Sequence, residues 1–312
     1  MGVLLAFATA MSFSVMNLAI RKGGRVHPGE NAVLATLVIN LLVFGTLMVV
    51  SAAGGTLLPL RWDGVLAFAA IGLSGPFLGR TFMFAGINRI GVVRASAIKN
   101  AAPIVTLLMA IAIVGDRPAL VAWAGIALIL AGVFAVVRES LIAAKAPALA
   151  AVGQKARPGG TGTGAVEVGR VGVVFAVLSA LSFGASNALS KVGLNLVPDA
   201  VQAGFFTGIA GLVCYLAWEV AQGRAGRIPQ TLVAVRPWFW LAGLGGTMGQ
   251  LTFFWAIQLI AVGPATVIAA SEVVLTTALG GLLAQQLEQV TRRIAVPAVL
   301  VFAGAALIAL GR

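Results

Sequence analysis

The feature that most restricts the fold of this chain is a series of apolar runs, each long enough to cross a membrane. A bilayer core of about 30 Å is spanned by roughly 20 apolar residues in a helix. Charged residues make up only 10% of the sequence and mean hydropathy is +1.04, which leaves too little charge for an ordinary water-facing surface. We therefore predict an all-α integral membrane protein. Breaks at polar, glycine and proline residues define ten transmembrane helices: 2–20, 31–53, 64–87, 92–114, 118–137, 170–190, 200–221, 237–259, 263–285 and 293–311.

The charge balance does not indicate a nucleic-acid partner. The formal net charge is +12, which in a soluble chain favours binding to nucleic acid. In a polytopic membrane protein, the same excess of Lys and Arg is typical of loops on the cytoplasmic side. We therefore expect the partners to be the lipid bilayer and a small-molecule substrate, with no nucleic acid, and the protein to be a monomer or homodimer.

The residues needed for metal, nucleotide or hydrolytic chemistry are missing from the sequence. Cys214 is the only cysteine, and His27, in a short loop beside Pro28, is the only histidine, so no Cys/His metal spacing can form. The sequence also has no P-loop and no Gly-x-Ser-x-Gly motif. It predicts a protein that is not an enzyme, uses no cofactor or metal, and is not driven by ATP.

The two halves of the chain are copies of each other. A shift of 170 residues without gaps pairs Ser12-Phe13 with Ser182-Phe183 and Asn17 with Asn187, and it pairs the Gly-xxx-Gly motif at 75–79 with that at 245–249. Matches that include Asn, Phe and Gly at fixed spacing indicate a tandem duplication. We expect a first five-helix repeat at 1–137, a flexible Gly- and Pro-rich linker at 138–169, and a second five-helix repeat at 170–312.

The basic residues predict that the second copy is inserted upside down. Five spans is an odd number, so the copies begin on opposite sides of the membrane. Arg21, Lys22 and Arg25 join the first two spans, whereas the equivalent connection has only Lys191. The other equivalent pairs differ likewise, and the richer copy always lies on an odd-numbered loop. We expect two inverted repeats, with odd-numbered loops in the cytoplasm and both termini outside.

The chain resembles the drug/metabolite transporter superfamily, specifically its ten-helix branch with two EamA-type domains. The motifs that carry the resemblance are rich in small residues. In the first half they are 84–103, Gly115-Asp116-Arg117 and 125–133; in the second half they are 254–273, Leu287-Glu288 and 301–304. The resemblance implies a carrier of polar metabolites, amino acids or drug-like molecules in the inner membrane.

One departure from the family pattern concerns the fourth helix of each repeat. Family members often have Glu-Pro there. The first copy has Ala102-Pro103 and the second has Glu272-Val273, so each copy retains one residue of the pair. A role for that glutamate is therefore available only in the second repeat.

Three charged residues lie well inside predicted spans, away from the span ends: Arg80, Lys99 and Glu272. Charge within a membrane is costly and marks candidate functional sites. Lys99 aligns with Ala269 and Glu272 with Ala102, so the two charges occupy corresponding faces of equivalent helices. One interpretation is a substrate cavity in which Glu272 exchanges a coupling proton; the other is a structural ion pair between the halves.

Arg80 aligns with Gln250, and its guanidinium suits a carboxylate or phosphate. The alternative is that Arg80 extends along its helix to the membrane interface. Other polar and aromatic residues are candidates for the cavity wall, although packing between helices is the alternative role for each. They are Asn17, Ser96, Asn100, Asn187 and Trp255.

We expect a secondary transporter that moves a small polar metabolite, carrying a carboxylate as an amino acid or organic acid does, by alternating access. The excess of positive charge in the spans favours an anionic group. An exporter of lipophilic cations and drugs, using Glu272 as the cation site, is the alternative. A membrane sensor is the third hypothesis, disfavoured because no sizeable soluble domain is present.

Overall fold

The computed structural model describes residues 1–26, 32–114, 163–229, 236–260 and 262–272, with scattered positions at 120–135 and 275–307. The described part is helical and contains no strand. Its α-helices are α1 (Gly2–Val26), α2 (Ala32–Ala53), α3 (Trp62–Gly72), α4 (Arg80–Ile90), α5 (Val92–Lys99), α6 (Ala102–Val114), α7 (Thr163–Leu196), α8 (Ala200–Ala221), α9 (Pro237–Leu259) and α10 (Val262–Ala270).

The helices agree with the predicted all-α membrane class. Within the described residues, five helical segments are long and apolar enough to cross a membrane: Gly2–Val26, Ala32–Ala53, Trp62–Ile90, Gly169–Leu196 and Ala200–Ala221. The predicted span 293–311 lies mostly outside the described residues, as do His27, Asp116 and Glu288, and the span 118–137 is described only at scattered positions. α7 begins at Thr163, so this helix includes residues 163–169 of the segment expected to be a flexible linker.

The third predicted span is a helix with a wider turn in its middle. A π-helical segment, Leu73–Gly79, lies between α3 and α4 and contains Pro76. Proline has no N–H, and its ring clashes with the carbonyl four residues earlier, so it disturbs regular α-helical bonding. The N–H of Arg80 donates to the Gly75 carbonyl five residues back. Arg80 therefore begins a new α-helical stretch directly after an irregular one.

The fourth and ninth predicted spans are each interrupted, at equivalent positions. α5 ends at Lys99, a turn follows at Asn100 and Ala101, and α6 begins at Ala102. In the second half α10 ends at Ala270, and the helix resumes after a turn at Ser271. In the first half Pro103 supplies a cause, because it cannot donate to the Lys99 carbonyl. Over their described residues, the predicted spans 92–114 and 263–285 are therefore each divided by a turn.

Glycines bring the two halves into close contact. A Cβ on Gly249 would lie 2.7 Å from the Phe13 ring of α1, and a Cβ on Gly79 would lie 3.1 Å from the Phe183 ring of α7. The two Gly-xxx-Gly motifs therefore pack against the first helix of the opposite half, as small residues do in membrane interfaces. Contacts at both ends show that α1 runs antiparallel to α9, because Gly2 adjoins Ile260 and Gly23 adjoins Phe239.

The same terminal contact occurs in each half. Arg21 at the end of α1 donates to the Ile87 carbonyl of α4 (2.8 Å), and Lys191 near the end of α7 donates to the Ile257 carbonyl of α9 (3.0 Å). The two donors are 170 residues apart in the sequence, and so are the two acceptors. A basic side chain next to the last carbonyls of a helix is stabilised by their negative partial charge. Each first helix thus ends on the same side as the third span of its own half.

Candidate functional site

A cavity of about 100 Å³ lies between the two halves. Its walls come from α1, the π-helical segment and α4, the interrupted α5–α6 helix, α7, α9 and the end of α10. Three charged side chains line it: Arg80, Lys99 and Glu272. The three charges singled out in the sequence therefore face one space, which the helical pattern alone did not determine.

Lys99 and Glu272 form an ion pair across the halves. Lys99 Nζ is 2.5 Å from Glu272 Oε2, and the glutamate side chain is 1% exposed. Lys99 lies in the last turn of α5, and Glu272 begins the helical stretch after the ninth-span turn. A cation at a helix C-terminus and an anion at an N-terminus both interact favourably with the backbone dipoles. The two interruptions thus place each charge where the backbone stabilises it.

Polar groups of α1 complete the surroundings of Glu272. Asn17 Nδ2 donates to Glu272 Oε1 at 2.6 Å, and Ser14 Oγ donates to the Glu272 backbone carbonyl at 3.0 Å. Each carboxylate oxygen of Glu272 therefore has its own donor, Lys99 on one and Asn17 on the other. A buried carboxylate needs such partners because desolvation without them is costly.

Two aromatic rings face the Lys99 ammonium. Its Nζ lies 5.8 Å from the centre of the Phe13 ring and 5.7 Å from that of Phe183. Both distances are within the range of a cation–π contact. The rings occupy equivalent positions of α1 and α7. Sequence reasoning did not nominate either ring, although the alignment of the two copies had paired them.

Of the three charges that line the cavity, Arg80 is the one with no partner among the described residues. Arg80 is only 4% exposed, and its Nη1 atom is buried with no hydrogen-bond acceptor. None of the ion pairs among described residues includes it. Because the side chain is buried and lines the cavity, the alternative that it extends to the membrane interface was wrong. Its counterpart Gln250 also lines the cavity and accepts a hydrogen bond from Asn40 at 3.1 Å.

The remaining predicted residues divide into two groups. Asn17, Asn100 and Asn187 line the cavity, and Asn100 Nδ2 donates to the Ala270 carbonyl at the ninth-span interruption (3.2 Å). Ser96 and Trp255 do not line the cavity.

Ser96 is buried behind Asn17, whose Nδ2 lies 3.5 Å from its hydroxyl. Trp255 is 40% exposed and lies apart from the cavity, so its predicted place in the wall was wrong; Phe253 and Phe254 line the cavity instead. The apolar pattern of a nearly uniform membrane helix does not fix its rotation, which explains this error.

A charged cavity enclosed by membrane-length helices from two similar halves is typical of membrane transporters. A family model described as the EamA-like transporter family matches residues 1–138 and 170–310. The chain belongs to this family: it is a multi-pass membrane transporter and not an enzyme, as the sequence motifs had predicted.

Comparison with solved structures agrees on the fold. A crystal structure of a protein with 17% identical residues superposes with a TM-score of 0.58, covering 100% of this chain and 97% of the other. None of the curated proteins matches the chain.

Proposed function

We propose that the chain is a secondary transporter of a small polar metabolite that carries a carboxylate, such as an organic acid or amino acid. The observation that carries the proposal is the buried guanidinium of Arg80, which lines the cavity without a counter-ion among the described residues. Arginine remains protonated in proteins, so this charge favours an anionic ligand. Lys99 adds positive potential, and its own charge is balanced by Glu272.

The size of the cavity supports a small solute over the alternative of drug export. A volume of about 100 Å³ is below the roughly 300–1,000 Å³ typical of sites for drug-sized ligands. A lipophilic cation would also need the carboxylate of Glu272, which Lys99 and Asn17 already contact. Neither observation favours a cation exporter.

The transport cycle is alternating access between ten spans arranged as two inverted repeats. The antiparallel packing of α1 against α9 supports the inversion. Because the Lys191 contact places the end of α7 beside the end of α9, the equivalent helices α1 and α7 run in opposite directions. Relative movement of the halves changes which side of the membrane the cavity faces. Glu272 is the group that releases or takes up a coupling proton during that change.

The protein lies in the plasma (inner) membrane with its odd-numbered loops in the cytoplasm. Contacts between the helix ends that adjoin three of those connections support a single basic face. Arg21 donates to the carbonyl of Asn88 (3.3 Å), and Lys22 lies 4.2 Å from the Trp238 ring centre. The first, third and seventh connections therefore meet at one end of the molecule, where Lys and Arg favour the cytoplasm.

Transport into proteoliposomes tests the function. The panel comprises labelled organic acids, amino acids, sugar phosphates and quaternary amines, with wild type, Arg80→Gln and Arg61→Gln at equal abundance. Arg80→Gln installs the residue of the other copy, and Arg61→Gln removes an exposed arginine paired with Asp63 as the control.

We expect transport of a carboxylate compound that is lost in Arg80→Gln and retained in Arg61→Gln. Transport of quaternary amines that is retained in Arg80→Gln and lost in an added Glu272→Gln variant would instead establish the drug-export alternative. A protein that moves no member of the panel would contradict the proposed substrate class.

A further inference from the structure

We infer that the transported species carries one net negative charge, and that its carboxylate contacts Arg80 while Lys99 and Glu272 remain paired. This inference rests on the proposed function and narrows it. It distinguishes a monoanionic acid from a zwitterionic amino acid, a dianion or an amine. Small polar metabolites include members of all four classes.

The charges on the cavity wall give the first argument. Lys99 and Glu272 neutralise each other at 2.5 Å, so the described lining residues retain the single charge of Arg80. Uncompensated charge in a site shielded from water is costly. One carboxylate cancels the charge of Arg80. A zwitterion leaves the site at one positive charge, and a dianion leaves it at one negative charge.

The contacts of Glu272 give the second argument, because a zwitterion also needs an acceptor for its ammonium group. Asn17 contacts Oε1 at 2.6 Å and Lys99 contacts Oε2 at 2.5 Å. The other charged groups of the described lining, Arg80 and Lys99, are cations. A substrate ammonium would therefore have to displace a built-in partner, whereas a carboxylate meets an arginine that is already free.

The difference between the two cations gives the third argument. Lys99 already contacts a carboxylate and lies near two aromatic rings. The planar fork of an arginine can bind a carboxylate through two parallel hydrogen bonds. Arg80 Nη1 has no acceptor in the described structure. The carboxylate is thus held by Arg80, and Lys99 serves to neutralise Glu272.

The duplicated sequence supplies substitutions that the fold already accommodates in the other copy. The equivalent of Arg80 is Gln250, that of Lys99 is Ala269, and that of Glu272 is Ala102. The double variant Lys99→Ala/Glu272→Ala removes both charges together and leaves the net charge of the cavity unchanged. Lys99→Ala alone leaves Glu272 to balance Arg80, so that variant has a neutral cavity.

Thermal unfolding of the purified full-length protein at about pH 7 tests the inference with solutes of equal chain length. The probes are propionate, alanine, malonate and propylamine, which represent the charges −1, zwitterion, −2 and +1, with propionamide as the neutral control. We expect a saturable rise in Tm with propionate alone. The rise should persist in the double variant and vanish in Arg80→Gln and in Lys99→Ala.

Each other result overturns the inference. Stabilisation by alanine or malonate equal to that by propionate would remove the charge rule, as would no stabilisation by any of the probes. Loss of the propionate effect in the double variant would place Lys99 in direct contact with the carboxylate. Should Arg80→Gln fail to fold, Arg80→Lys serves instead, and we expect weaker propionate binding there. Failure of the proposed function is a separate result, since the transport assay would then show no carboxylate movement at all.

Discussion

The Lys99–Glu272 pair connects the halves through two buried charges, so its removal should depend on whether one charge or both are lost. Glu272→Gln leaves the Lys99 ammonium without its counter-ion. Breaking a buried pair in this way costs about 3–5 kcal/mol. We expect a marked fall in Tm for the single variant and a much smaller fall for Lys99→Ala/Glu272→Ala. Equal falls would show that the pair is not coupled in the membrane protein.

Glu272→Gln also separates a role in transport from a role in stability. We expect transport to be abolished even in preparations matched for abundance in the membrane, because glutamine cannot exchange a proton or balance Lys99. Transport in proteoliposomes, normalised to folded protein, provides the measurement. Retained transport would remove Glu272 from the mechanism and leave it a structural residue.

At this scale much of the candidate site could be predicted from sequence, because charge inside a membrane span is rare and costly. Arg80, Lys99 and Glu272 were found on that basis. The aromatic neighbours Phe13 and Phe183 were not, since rings are common in spans. Trp255 was misplaced because its helix is apolar on every side, and only packing against neighbours determines which face is buried.

At the scale of a helix, the break between α5 and α6 in the fourth span can be tested by replacing Pro103. Pro103→Ala restores an N–H that can bond to the Lys99 carbonyl and allows α5 and α6 to join. We expect slower hydrogen exchange of the backbone amides at 100–104, an unchanged or higher Tm, and impaired transport because Lys99 is moved.

Pro237→Ala is the matched control for Pro103→Ala. Pro237 lies at the first position of α9, where a missing N–H costs nothing. Little change in exchange, Tm or transport is therefore expected from this control. If Pro103→Ala behaves in the same way, Pro103 is not the cause of the interruption.

The contact between α2 and α8 gives a second prediction for an element. A Cβ on Gly204 would overlap the ring of Phe44, whereas a Cβ on Gly45 would meet only Phe205, at 3.8 Å. Gly204→Ala therefore forces the helices apart, and overpacking typically costs about 1–3 kcal/mol. We expect a lower Tm for Gly204→Ala and no loss for Gly45→Ala. A similar Tm for both would contradict this close packing.

The helices themselves could largely be predicted from composition, and their interruptions could not. α8 and α9 coincide with the predicted spans 200–221 and 237–259, because apolar length is what the bilayer requires. Hydropathy does not register the loss of single backbone hydrogen bonds, so the π-helical segment and the turns after Lys99 and Ala270 were missed. Pro76 and Pro103 were the sequence features that could have indicated the first-half irregularities. The interruption after Ala270 has no proline beside it.

The arrangement of the whole molecule follows from equivalent contacts made in both halves. Each Gly-xxx-Gly motif packs against the first helix of the other half, and each of those first helices donates a basic side chain to a carbonyl of its own half. The cavity then lies between two similar bodies, while its charges are asymmetric. Duplication explains the similar helix packing in the two halves. Divergence at a few positions, such as Arg80 against Gln250, explains the charge selectivity that we propose.

Labelling of equivalent loops tests the inverted arrangement. Thr56 and Gly226 are 170 residues apart, both are exposed, and each lies in the connection after the second helix of its half. With Cys214 replaced by alanine, Thr56→Cys and Gly226→Cys each provide a single thiol. Inverted copies place these thiols on opposite sides of the membrane, whereas parallel copies would place them on the same side.

We expect a membrane-impermeant maleimide added to intact cells to label Thr56→Cys and to label Gly226→Cys only after the membrane is opened. This outcome follows from the basic residues near Gly226, namely Arg224 and Arg236, which favour the cytoplasm. The reverse pattern would retain the inversion and overturn the absolute orientation. Labelling of both thiols from the same side would overturn the inverted repeat itself, and with it the alternating exposure of a single central cavity.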